Sequence, residues 1–159
     1  MVKSSSIPNK VYKFVHKQDA FIQTNILNRN FSNDWLTIED NGRIILKGSH
    51  GQGYAWDGCS PKWVFIDITW GTPDGRFDVR TELPITYYSS MFHDVFYQFK
   101  ADIPLSRIET DIIFKQMLLQ TGFKLSDIYY FFVRLFGGIY GKWKTVATTD
   151  HIEVSQTSW

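Results

Sequence analysis

Apolar and polar positions alternate along the first half of the chain and recur every three or four residues along the second, a change of period that predicts strands followed by helices. The clearest alternation lies at 35–39 and 43–47, on either side of Asp40-Asn41-Gly42. Asn-Gly accepts the positive φ angles of a tight turn, so the two runs predict a β hairpin. Residues 11–15 alternate weakly and predict an edge strand after the Ser4-Ser5-Ser6 lead; 20–26 fits a strand or a helix, and 28–33 reads as loop. A second hairpin is expected from 63–70 and 77–81 across Gly71-Thr72-Pro73-Asp74-Gly75, with Asp67 and Asp78 on its wet face, and Leu83-Pro84 ends the β-rich half.

From Ser89 onward the pattern is helical. In 89–99, Phe92, Phe96 and Phe99 share an apolar ridge while His93 and Tyr97 stack one turn apart on another side. Ser106-Arg107-Ile108-Glu109 is an S-x-x-E arrangement, in which the two side chains satisfy free amides of a first turn, and it starts a helix over 106–120. The connection 100–105, with Pro104 just before the cap, is short enough to fold the second helix back antiparallel to the first. Thr121-Gly122 breaks the chain, and Ser126-Asp127 is expected to cap a third helix ending at Gly137-Gly138, with Tyr129, Phe132, Val133 and Phe136 facing a core. The tail, 142–159, is polar and β-inclined, which leaves a closing strand, a partner-binding arm and a disordered segment open. The fold class expected is α+β: N-terminal antiparallel β hairpins, then a three-helix C-terminal half whose helix hairpin carries the site. One domain is expected over 1–159, with a β-rich half at 9–82 and a helical half at 89–138.

The helix hairpin gathers chemistry. At about 1.5 Å per residue, His93 stands roughly 10 Å and Tyr97 roughly 4 Å from the end of their helix, and Asp111 roughly 7 Å from the start of the next. Asp111 therefore falls level with the gap between His93 and Tyr97 and can accept from both, holding one imidazole tautomer and leaving the other ring nitrogen free as a base. The same three side chains serve equally as a polar knot that pins two helices. Asp94 points about 100° around the helix from His93 and needs its own partner, solvent or a metal ion. The turn Trp56-Asp57-Gly58 either uses Asp57 as its cap or delivers it as a further carboxylate, with Ser60 as a donor; Cys59 reads as packing. Arg134 offers a cation to Glu109, to Asp111 or to an anionic substrate, and Ser60, Arg107 and Arg134 complete the candidate set as supporting residues. Gly48, Gly51 and Gly53 around His50 read as loop glycines, and His16 and His151 as surface residues.

Two resemblances add to this. His93-Asp94-Val95-Phe96-Tyr97, followed by Asp111 on the next helix, resembles the HDxxY core of phospholipases of the A-two type. It implies that His93 is the general base for a water, Asp94 a calcium ligand, and Tyr97 and Asp111 the groups that hold His93. That family is dense in disulfides and has a glycine-rich calcium loop, whereas this chain has one Cys and no clear copy of the loop. The series Tyr54-Ala55-Trp56-Asp57-Gly58-Cys59-Ser60-Pro61, His93-Asp94-Val95-Phe96-Tyr97, Arg107-Ile108-Glu109-Thr110-Asp111-Ile112-Ile113-Phe114 and 130–138, with Val133-Arg134-Leu135-Phe136-Gly137, resembles an uncharacterised phage-associated family, domain of unknown function family 1353. It implies a phage or prophage setting and no particular reaction.

Composition narrows the rest. A net charge of +1 provides no general field for nucleic acid or anionic membrane, so no nucleic acid is expected as a partner. A single Cys excludes an intrachain disulfide, and 17% aromatic residues predict a ring-rich core. No signal peptide is expected in the polar 1–10, and no membrane span, because the greasiest stretch, 128–136, is interrupted by Arg134. The expected location is the host cytoplasm or the virion. Two functions stay open. One is a metal-assisted hydrolase of an ester, amide or lipid-like substrate. Catalysis would rest on His93, Asp111 and Tyr97, with Asp94 and Asp57 on a divalent cation: calcium first, then magnesium, zinc or manganese. The other is a non-enzymatic virion or tail component, or a protein that binds a host factor, in which the same residues form a polar brace.

Overall fold

The computed structural model describes residues 12–58, 77–139 and 141–158. Chain contacts cluster into two compact units, Met1–Asp57 with Thr149–Trp159, and Gly58–Thr148. The fold class is α+β, with antiparallel strands in the first unit and helices in the second.

The β unit comprises, among the described residues, β1 (Phe14–His16), β2 (Asp19–Thr24), β3 (Phe31–Ser32), β4 (Leu36–Ile38), β5 (Arg43–Lys47), β6 (Tyr54–Trp56) and β7 (Val154–Ser158). β1 and β6 form a two-stranded sheet, and the other strands form a five-stranded one in the order β3-β4-β5-β2-β7. Pairing sets Leu36 opposite Leu46 and Leu46 opposite Ala20, and Ile38 opposite Ile44 and Ile44 opposite Ile22. All six side chains are buried, so the period-two alternation of the sequence becomes two hydrocarbon rows on one face. The ambiguous 20–26 is thus strand as far as Thr24, because its alternate residues Ala20 and Ile22 complete these rows.

The Asp40-Asn41-Gly42 hairpin forms as expected, with a different turn. Gly42 N donates to Glu39 O at 3.0 Å, Glu39 N donates to Arg43 O at 2.8 Å, and of Asn41 and Gly42 only Gly42 has positive φ, at +83°. This is a type I turn closed by a glycine bulge, with Asn41 Oδ1 accepting from Arg43 N at 2.8 Å.

Several expectations are corrected. The edge strand lies at Phe14–His16, later than 11–15, and the loop 28–33 contains β3. His16 is buried, not on the surface, and burial pushes its imidazole pKa below the ordinary value. Residues 63–70, Asp67, Cys59 and Ser60 lie outside the described residues. Residues 77–81 are not a strand: Phe77 bridges Pro84, and Asp78 Oδ1 accepts from Arg80 N, closing a local turn instead. Of the options for the tail, its end is a closing strand. β7 pairs with β2, and Asn25 secures the approach, its Nδ2 donating to His151 O at 2.6 Å and its Oδ1 accepting from Glu153 N at 2.9 Å.

The helical unit contains α1 (Tyr87–Gln98), α2 (Arg107–Gln120) and α3 (Ser126–Phe136), followed by a 3-10 turn, Gly137–Ile139. Ser106 caps α2 with the expected reciprocal pair: Ser106 Oγ accepts from Glu109 N, and Ser106 N donates to Glu109 Oε2 at 2.6 Å. α2 ends in a Schellman turn, where Phe123 N donates to Leu118 O, Gly122 N donates to Leu119 O and Gly122 has φ +70°. That turn runs directly into α3, whose N-cap is Leu125, so Ser126 is already helical and buried and does not cap. Ile85, Phe114, Leu118, Phe123, Tyr129 and Val133 close into one apolar cluster that packs α3 on α2. No helix among the described residues is long and apolar enough to cross a membrane.

Candidate functional site

Asp111, at 0% exposure, sits on the second turn of α2 and is the centre of a network drawn from all three helices. Its Oδ1 takes two partners from α1: the Tyr97 hydroxyl donates at 2.8 Å, and His93 Nε2 lies at 3.0 Å. This is the convergence that helical rise predicts, since one turn of α1 separates the two donors and Asp111 is level with the gap. Its Oδ2 takes the other side. Arg134 Nη1, from α3, donates to it at 2.9 Å, and Arg107 Nε, one turn back on α2, is 3.7 Å away. Of the two carboxylates offered to Arg134, Asp111 is the one bonded. Arg107 also donates from Nη2 to Val133 O and Arg134 O, capping the last carbonyls of α3.

This arrangement decides protonation. Burial pushes the Asp111 carboxyl up, but donors from His93, Tyr97 and Arg134 outweigh it and hold the group below the usual carboxylate range, so Asp111 is ionised. Burial, then the adjacent Asp111 charge, pushes the Tyr97 hydroxyl well above the ordinary tyrosine value, so Tyr97 is a donor at neutral pH. An ionised carboxylate only accepts, so His93 donates from Nε2, and in the neutral imidazole the lone pair is on Nδ1. Among the described residues Nδ1 has no hydrogen-bond partner, and about a tenth of the side chain, 10%, is open to solvent. The ring lies between Tyr97 and Phe114, with centroids at 4.3 and 4.6 Å.

The remaining candidates are placed differently. Asp94 is half-buried on α1 beside His93, and Asp57 is half-buried just after β6 in the β unit. Within the helical unit, the bonds to Asp111 come from His93, Tyr97 and Arg134, not from Asp94. Among the described residues no three His, Cys, Asp or Glu side chains gather so that they could share a metal ion. The one carboxylate at the centre, Asp111, already faces two guanidinium groups and is not placed to hold a divalent cation, and no step below runs through one.

Four contributors escaped the sequence reading. Phe114 backs the His93 ring, and Trp143, in the polar tail, packs edge-on against Tyr97 with centroids 4.8 Å apart. A Cβ on Gly137 would stand 2.3 Å from the Tyr97 hydroxyl, and one on Gly138 would stand 2.6 Å from Arg107 Nη1. The glycine pair had a signal, but it read as a helix stop. Compared with known proteins, the chain matches no protein-family model, no curated protein and no solved structure.

Proposed function

We propose that the helical unit is a hydrolase site in which His93 acts as general base. The observation that supports it is the asymmetry of the His93 ring: Nε2 is bound to an ionised, fully buried carboxylate, and Nδ1 has no partner among the described residues. In this reading Nδ1 takes a proton from a water as the water oxygen adds to the carbonyl carbon of an ester or amide. The imidazolium then returns the proton to the leaving oxygen or nitrogen as the carbonyl re-forms, giving acid and alcohol or amine. Asp111 stabilises the imidazolium without becoming protonated, and Tyr97 and Arg134 keep Asp111 ionised and oriented. The substrate class is a small ester, amide or lipid-like molecule. The setting, a phage protein in the host cytoplasm or the virion, rests only on the resemblance of the four motifs to the phage-associated family.

The test is hydrolysis of chromogenic esters and amides by wild type and His93→Gln. Glutamine keeps a donor toward Asp111 and removes the base, so His93→Gln should fold normally and be slower by at least about a hundredfold. No turnover by wild type above the water rate, or an unchanged rate in His93→Gln, defeats the proposal.

A second reading is favoured by a separate observation: both oxygens of Asp111 are filled, one from α1 and the other from α3. The network is then a polar brace in a non-enzymatic virion or tail component, or in a protein that binds a host factor. Its signature is a wild type without hydrolysis whose stability depends on every member of the network.

A further inference from the structure

The turn that ends α3 is shaped by the side chains beside it and not by its own backbone. Gly137 is buried, with φ −61° and ψ −20°. That conformation is open to every residue, and in it alanine is preferred to glycine. What excludes a side chain is Tyr97, whose hydroxyl would lie 2.3 Å and whose nearest ring carbons 3.0 Å from a Cβ on Gly137. Three side chains set where Tyr97 stands. Its hydroxyl is bonded to Asp111 at 2.8 Å, His93 lies against its ring at 4.3 Å, and Trp143 meets it edge-on at 4.8 Å. Gly138 repeats the relation with Arg107, whose Nη1 would stand 2.6 Å from a Cβ there.

We propose that Gly137 is a positioning residue: the space left by its missing side chain is where the Tyr97 hydroxyl stands. It thereby sets the bond from Tyr97 to Asp111 and, through the shared Oδ1, the bond that orients His93. A methyl at 137 is accommodated by moving Tyr97 away from Asp111, because the tyrosine side chain can swing while the backbone of the turn is held by Arg107 at the α3 carbonyls. The functional meaning of this role rests on the hydrolase reading above, since it is the aim of His93 Nδ1 that the glycine would control.

The experiment is NMR of the His93 Nε2 proton in the full chain. That proton is hydrogen-bonded in a nearly closed site, so it resonates at low field and exchanges slowly with water. Removing the Tyr97 donor leaves Oδ1 with His93 alone, and in Tyr97→Phe the proton moves further downfield. The expected result is the same displacement in Gly137→Ala, with nothing added when the two substitutions are combined, because both act through one hydroxyl. An unmoved proton in Gly137→Ala, or displacements that add in the double variant, overturns the proposal. If Gly137→Ala does not fold alone, folding restored in the Tyr97→Phe background supports it, and failure in both backgrounds overturns it. The proton is read whether or not any substrate is turned over. Loss of the hydrolase reading by the His93→Gln assay is therefore a separate outcome from loss of this coupling.

Discussion

In the five-stranded sheet the fully covered rows, Leu36 with Leu46 and Ala20, and Ile38 with Ile44 and Ile22, are hydrocarbon from end to end. In the helical unit, one side chain with no exposure, beside an apolar cluster, is a carboxylate, held by a hydroxyl, an imidazole and a guanidinium. Burial in the first stabilises in proportion to area, and each methyl contributes on its own. In the second, each group is tolerable only while its partners are in place, because a buried charge without them costs more than the contact contributes. The two regions should therefore fail differently: one by graded loss of volume, the other by loss of a partner and with pH.

The largest expected effect is at Asp111. Asp111→Asn keeps the shape and removes the charge opposite Arg134 and Arg107, and should cost about 3–5 kcal/mol in urea unfolding at neutral pH. Acid sharpens the point. The folded carboxyl titrates below the unfolded value, so its contribution is complete above the unfolded pKa of 3.8 and is lost as pH falls through the folded one. Stability of wild type should drop steeply below about pH 4. The drop should be shallower in Asp111→Asn, where what remains includes the exposed Asp19, lowered by its bonds from Ser49. The alkaline limb has the opposite sign: the Tyr97 value is raised, so its contribution is present up to the unfolded value of 10 and lost above it, and Tyr97→Phe should remove that loss. An acid limb identical in wild type and Asp111→Asn would mean that the helical unit does not depend on this carboxylate.

Next in size is Gly42→Ala. A Cβ would meet a close neighbour at both Gly137 and Gly42, but at Gly42 the obstacle is backbone: φ is +83° and a Cβ would stand 2.2 Å from Thr24 O. Neither can swing aside. The substitution should cost at least about 1–2 kcal/mol for the left-handed conformation. No second change in a neighbouring side chain should restore the stability, in contrast to Gly137→Ala in the Tyr97→Phe background. Recovery of Gly42→Ala by a side-chain substitution would erase the distinction between the two glycines.

How far such features can be read from a sequence follows from their range. The α2 cap is legible because Ser106 and Glu109 satisfy each other within four residues, and the meeting of His93, Tyr97 and Asp111 is legible because helical rise is nearly constant and the connection is short. The β4–β5 hairpin was readable for the same reason, though its bulge was not, since Asn41-Gly42 serves more than one turn type. His16 misled because its strand has three residues, too few for a period to show which face is inward. Gly137, Phe114 and Trp143 were missed because their roles are approaches between distant segments, and no local spacing encodes those.

The smallest expected effect tests the hydrocarbon side of the comparison. Ile44 is fully buried, with Ile22 opposite it on β2 and Ile38 opposite it on β4, so Ile44→Val removes one methylene from the middle of a row and leaves every hydrogen bond of the sheet in place. The cost should be about 1 kcal/mol, set by the lost transfer free energy and by how far Ile22 and Ile38 can close the gap. Nothing in that row titrates. The decrement should therefore be the same in neutral and acid solution, measured as the difference between variant and wild-type unfolding curves at each pH. A decrement that grows toward acid would mean that the hydrocarbon rows and the titrating groups of the chain are energetically coupled, and that the contrast between a core read by volume and a core read by charge does not hold.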